Sequence, residues 1–362
     1  MRKIAIVPWD DSIKKDNIYQ NSNWHGQFKK AFEEHGYEFH TIDMYSNLGE
    51  VDWFLFFTLN YKWLSCVIRH GKLGRLIYCS GEPEVVKPEN SADGYKELLK
   101  LFAFILTWND DLVDNKRIFK RCIPYDFKKQ YGTVPFEERK LLVNVSGNKH
   151  STHPEELYSE RERVITYFEQ HAPEEFDLYG TGWNKETHPS YLGVVDDKIE
   201  AYHHYRFALC LENTANVKGY LTEKLFDCFV AGIVPIYYGA ADIDEYVPQN
   251  CYIPYHKFKD IEEMRIFLEK ITEEEYRAYL VAIDRLLNTD IQSQFTGTLF
   301  AKQVLLGIEQ ALIPESISIS GMVKNEIAIK AYKESMSKFF LNTKLSCKKI
   351  VNLLRERKNA KR

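Results

Sequence analysis

The residues best suited to chemistry cluster in one stretch, residues 205–248. Glu212, Asn213 and Thr214 follow an apolar run, 207–211, that reads as a buried strand. Polar groups at the carboxyl end of such a strand sit where open α/β sheets bind ligands. A loop containing Gly219 and Tyr220 comes next. Thr222 is a candidate helix N-cap, and Glu223 and Lys224 fall in the first helical turn. Glu223 suits the positive end of the helix dipole, whereas Lys224 opposes it. A bound anion would remove that conflict, because helix N-termini hold phosphates readily. The chemistry implied is recognition of a phosphate or diphosphate, with polar groups beside it for a further part of the ligand.

Other candidates compete less well. Asp242 and Asp244 have the DxD spacing of a metal–diphosphate motif, but their place after Gly239, Ala240 and Ala241 suits the start of a helix. His150, His153, His203 and His204 lack a third ligand at useful spacing, so no zinc site is expected. Lys149, after a strand, could touch a phosphate, and the ring of Trp183 could line a cleft.

The elements that must position these residues alternate along the chain. Apolar runs at 3–8, 38–42, 53–57, 75–79 and 102–107 predict strands, and 23–35 predicts a helix closed by Gly36. A polar break at 125–140 separates a second series. There 140–145, 176–179, 207–211 and 233–238 predict strands; 161–171, 222–230 and 261–287 predict helical material. Alternation of this kind gives parallel sheets covered by helices. Two Rossmann-like units in tandem fit better than one large sheet.

Composition sets the outer limits. The chain has 362 residues, 44% of them apolar and 28% charged, which excludes a disordered, collagen-like or disulfide-stapled chain. A net charge of −4 excludes a general nucleic-acid binder. The charge is uneven: residues 331–362 hold ten Lys/Arg against two Glu, a net of +8 that leaves −12 on residues 1–330. Within that tail Phe339, Phe340, Leu345, Ile350, Val351, Leu353 and Leu354 recur between basic residues, as in a helix packed on the body or lying on an anionic membrane. Seven scattered cysteines without a CxxC pair indicate a reducing compartment. With no signal-peptide pattern and no bilayer-length apolar run, a cytoplasmic protein is expected, peripheral at most on the inner membrane face. The aromatic content of 14% signals a well-filled core or a ring-lined cleft for a sugar-like ligand.

The run ENT, followed by GYLTEKLFDCFVAGIVPIYYGA, resembles the donor-binding signature of the α-1,3/1,4-fucosyltransferases, bacterial members included. In that family (F/Y)-E-N-(S/T) precedes Y-(V/L)-T-E-K by a few residues. Weaker resemblance extends through 142–148, 161–168 and 176–182, and fades before residue 130. The resemblance implies a GT-B fold, two Rossmann-like domains facing across a cleft. Residues 1–135 would bind the acceptor, 136–312 the nucleotide sugar, and 313–362 would form C-terminal helices and the basic tail. It implies GDP-fucose as donor and inversion at the sugar carbon. The acceptor would be a GlcNAc (or Glc) hydroxyl of an oligosaccharide, linked α-1,3 or α-1,4, in surface-polysaccharide synthesis. Basic side chains rather than an obligatory metal would hold the diphosphate. By resemblance Glu212, Asn213, Tyr220, Glu223 and Lys224 bind the donor, Lys224 at the diphosphate and Glu223 at ribose or fucose hydroxyls. Arg163 matches a helix arginine that meets the phosphates, with Arg161 two residues away. Glu82 matches the catalytic base, with Glu84 as alternative. Two rival readings keep the fold: a transferase for another nucleotide sugar, and a glycan-binding module without turnover.

Overall fold

The computed structural model describes residues 1–19 and 23–338. Its first unit holds strands β1 (Arg2–Val7), β2 (Tyr37–Thr41), β3 (Trp53–Phe56), β4 (Leu76–Cys79), β5 (Phe104–Thr107) and β6 (Ile118–Lys120). Helices α1 (Trp24–Glu34), α2 (Tyr61–Arg69) and α3 (Ala92–Leu98) lie between them. All pairings are parallel, in the order β2-β1-β3-β4-β5-β6.

The second unit repeats the plan with β7 (Lys140–Val145), β8 (Phe176–Tyr179), β9 (Tyr191–Gly193), β10 (Tyr205–Leu211), β11 (Val234–Tyr238) and β12 (Ile253–Pro254). Its sheet is also parallel, in the order β12-β11-β10-β7-β8-β9. Its helices are α4 (Tyr158–His171), α5 (Lys198–Tyr202), α6 (Glu223–Ala231), α7 (Ile243–Tyr246), α8 (Ile261–Lys270) and α9 (Glu273–Leu287). The expected helical stretch 261–287 is thus two helices. Thr272 restarts the helix through a capping box with Glu275.

Strands covered on both faces need apolar residues at every position. In β1, Ile4 and Ile6 enter one core cluster while Ala5 and Val7 enter another. In β10, Phe207, Leu209 and Leu211 face one cluster and Ala208 and Cys210 its opposite. This explains why β1 and β10 read as continuous apolar runs, whereas β2 and β8 alternate.

One helix departs from the expected boundary. Helix α10 (Gly297–Gln310) follows the second unit in sequence but packs on the first, with Phe300, Ala301, Val304 and Leu305 buried beside Phe28 and Phe104. Two glycines permit it: a Cβ on Gly297 would lie 1.9 Å from the Trp24 carbonyl oxygen, and one on Gly307 would lie 2.3 Å from the Phe104 ring. Residues 297–310 therefore belong structurally with the first unit, not with 136–312. The two chain crossings run side by side, Tyr125 N–H donating to the Phe295 carbonyl at 2.8 Å.

Residues 321–338 are helical and also lie on the first unit. Ile327 joins its core, and Lys338 pairs with Asp11 at 2.7 Å. The apolar residues that suggest a membrane surface, Phe339 to Leu354, lie outside the described residues. No helix among the described residues is long and apolar enough to cross a membrane. Among the described residues six cysteines are free thiols, all but Cys66 buried.

Candidate active site

Strand β10 ends at Leu211, so Glu212 emerges at the carboxyl edge of the second sheet with no exposed surface. A carboxylate there needs partners. It accepts the Thr222 N–H at 3.1 Å, the Thr222 hydroxyl at 2.8 Å and the Lys224 ammonium at 3.1 Å. Thr222 also caps α6, its Oγ1 accepting the Lys224 N–H at 3.3 Å. The cation at the head of α6 is therefore balanced by a resident carboxylate, whatever else binds there.

The charges tune one another. Burial raises the Glu212 pKa, and Lys224 offsets this only in part. Burial works to lower the Lys224 pKa, but Glu212 and Glu223 outweigh it and the net shift is upward. Lys224 is thus an ammonium at neutral pH. Glu223 is pushed up by burial and pulled down further by Lys224 and Lys198, so it stays ionised.

Asn213 reaches towards both units. Its Nδ2 donates to the Tyr220 hydroxyl at 3.3 Å and to Glu82 Oε2 at 3.4 Å. Tyr220 is buried, with its ring centroid 4.4 Å from that of Trp108 on the first unit. Glu82 follows β4 and lines the cleft. Glu84 points away, half exposed, with His153 Nε2 3.9 Å from its carboxylate.

Helix α4 places the two arginines on different faces. Arg161 is 3% exposed and donates to the Leu211 and Glu212 carbonyls at 2.8 and 3.1 Å. Two residues on, about 200° round the helix, Arg163 has a 62% exposed side chain paired with Glu160. The structure brings Arg161 to the cleft and leaves Arg163 outside it.

The cleft has a volume of about 610 Å³ and is lined by both units. The first supplies Trp9, Trp24, Phe57, Glu82 and Arg121; the second supplies Lys149, Arg161, Lys198, Asn213, Tyr220, Glu223 and Lys224. Arg121 and Lys198 escape sequence reasoning. Arg121 directly follows β6, and Lys198 opens the short α5, where it pairs with Asp227 at 2.9 Å. Neither stands in a recognisable pattern.

Asp242 is engaged by the backbone at the start of the 219–220 loop. Its carboxylate accepts the Gly219 N–H at 2.9 and 3.0 Å and so ties down the loop that carries Tyr220. Among the described residues no group of three or more His, Cys, Asp or Glu is arranged to hold a metal ion. Trp183 is absent from the cleft lining; its indole N–H donates to the Ser146 carbonyl at 2.6 Å and braces the turn after β7.

Residues 138–286 match the sequence model of glycosyltransferase family 10 (fucosyltransferase), C-terminal part. An α-(1,4)-fucosyltransferase of Arabidopsis thaliana is 38% identical over 22% of this chain and 21% of its own length. An α-(1,3)-fucosyltransferase of Helicobacter pylori is 30% identical over 34% of this chain and 26% of its own. The matches thus span about a fifth to a quarter of those relatives. Among solved structures, an α1,3-fucosyltransferase with GDP-fucose superposes with TM-score 0.53 at 18% identity, over 88% of this chain and 93% of that one. HepE of Anabaena in complex with UDP-glucose superposes with TM-score 0.51 at 10% identity, over 85% and 99%. At those identities the likeness is one of fold. Residues 138–286 thus resemble the C-terminal part of the glycosyltransferase family 10 fucosyltransferases, and the chain as a whole has a two-unit GT-B fold.

Proposed function

We propose that the chain is an inverting transferase that moves L-fucose from GDP-fucose to a GlcNAc (or Glc) hydroxyl of a glycan, in α-1,3 or α-1,4 linkage. One observation carries the reading. A single cleft combines the carboxylate of Glu82 with the cations Lys224 and Arg161, and Asn213 of the second unit donates to Glu82.

The chemistry follows from that arrangement. Departure of GDP builds negative charge on the diphosphate, and preorganised cations lower that barrier. Lys224, aimed by Glu212, and Arg161, fixed by two carbonyls, are such cations. Glu82 takes the proton of the attacking hydroxyl. One displacement with the base on the face opposite the leaving group inverts the sugar carbon. Because these side chains carry the charge neutralisation, turnover is expected to persist in a chelator. The biological setting consistent with this reading is surface-polysaccharide synthesis from the cytoplasmic side, with the 331–362 tail on an anionic membrane face.

A donor screen tests it. The purified chain, with chelator present, is offered GDP-fucose, GDP-mannose, UDP-glucose or UDP-galactose together with GlcNAc-containing acceptors. Fucosylated product with inverted linkage is expected. Transfer only from another donor would replace fucose with that sugar; acceptor binding without turnover on any donor would leave a glycan-binding module.

A further inference from the structure

We propose that Trp108 is a positioning residue that couples the donor loop of the second unit to the base on the first. The inference rests on the reading of Glu82 as that base. Three successive carbonyls lead into Glu82, and each is held by a different side chain. Arg121 Nη1 donates to Ser80 O at 3.1 Å, Trp108 Nε1 to Gly81 O at 3.0 Å, and Asn90 Nδ2 to Glu82 O at 2.6 Å. Arg121 and Asn90 are themselves fixed within the first unit. Arg121 also donates to the Cys122 carbonyl at 2.9 Å, and Asn90 accepts the Tyr78 hydroxyl at 2.9 Å.

Trp108 differs because, besides accepting Lys120 Nζ at its carbonyl at 2.9 Å within the first unit, it makes contacts with the second unit. Its ring packs on Tyr220 with centroids 4.4 Å apart. A Cβ on Gly219, whose φ is +74°, would lie 2.3 Å from the Trp108 carbonyl oxygen, so only glycine lets the donor loop approach this closely. Tyr220 accepts from Asn213, and Asn213 reaches Glu82. The contacts therefore close a circuit: Glu82, Asn213, Tyr220, Trp108, Gly81 and back to Glu82. A ligand that shifts Tyr220 or Asn213 shifts both ends of the base loop together. A tryptophan serving only as core filling would need neither the indole bond to Gly81 nor the glycine opposite its carbonyl.

The test uses the full chain carrying Trp108→Phe, which keeps a ring against Tyr220 and removes the N–H. Expected are an intact affinity for GDP and a kcat reduced by about tenfold to a hundredfold, the scale on which small misplacements of a catalytic group act. In a Glu82→Gln background, measured in single turnover, the same substitution should cost nothing further. Unchanged kcat, a matching fall in GDP affinity, or an equal loss in the Glu82→Gln background would each overturn the coupling. If Trp108→Phe fails to fold, Asn90→Asp, which keeps the Tyr78 bond and loses the donor to Glu82, should lower kcat with GDP affinity intact. Unfolding of both would make these groups structural supports and reject the proposal. Full turnover in Glu82→Gln would instead reject the base assignment, so the two failures are separable.

Discussion

The wall of the cleft on the second unit comes from two short stretches, residues 145–149 and 213–224, joined by Arg161 and Lys198. The wall on the first unit comes from residues far apart in sequence: Trp9, Trp24, Phe57, Glu82, Asn90 and Arg121. They also hold themselves differently. On the second unit ionised side chains bind one another, Glu212 to Lys224 and Lys198 to Asp227. On the first, side chains hold backbone carbonyls, and aromatic rings line much of the rest. A site made of mutually neutralising charges suits a ligand of fixed chemistry, such as a nucleoside diphosphate. A site of rings and braced loops suits one whose shape varies. The contrast predicts that substitutions on the two walls fail in different ways.

The largest effect is expected at Lys224. Lys224→Ala should reduce kcat by about 10²–10³. It should also destabilise the fold by about 3–5 kcal/mol, because the buried Glu212 is left with the Thr222 donors but no counter-ion. Denaturant unfolding beside steady-state kinetics checks both, and a variant of wild-type stability would break the charge-balance account. Next comes the arginine pair. Arg161→Ala should lower kcat/KM for the donor by about 10²-fold, whereas Arg163→Ala should stay within about twofold, as exposed surface substitutions do. The reverse ranking would put the wrong face of α4 at the donor.

The smallest effect concerns the aromatic wall. His25 stacks on Trp24 with centroids 3.6 Å apart, and neither of its ring nitrogens has a partner among the described residues. Burial lowers its pKa from 6.5 to about 4. The folded state thus favours the neutral ring. Its contribution to stability is complete above pH 6.5 and is lost as pH falls towards about 4. Melting temperatures across that window should fall less steeply in His25→Phe than in the native chain. Equal slopes would mean that His25 takes up its proton alike in the folded and unfolded chain.

How much of this was legible follows from the same contrast. Residues Glu212, Asn213, Tyr220, Glu223 and Lys224 stand close in sequence, so their types and spacing pointed to one cluster at a strand–helix junction, and the fold brings them together there. Both sheets were readable because their doubly covered strands are continuous apolar runs. The short edge strands β6 and β9 were not, since three residues carry no period. Arg161 and Arg163 could not be separated by motif alone; the helix face decides, and that depends on where α4 packs. The place of α10 depended on Gly297 and Gly307 fitting against another unit. Trp108 and Arg121 act on carbonyls distant in the chain, and such contacts leave no local pattern.

The central claim is that one wall binds the donor and the other supplies the base. Calorimetric binding of GDP-fucose to Glu82→Gln, alongside turnover with a GlcNAc-containing acceptor, tests it most directly. The account predicts native donor affinity with turnover reduced by about 10²-fold or more. Full turnover, or donor affinity lost in step with turnover, would contradict it.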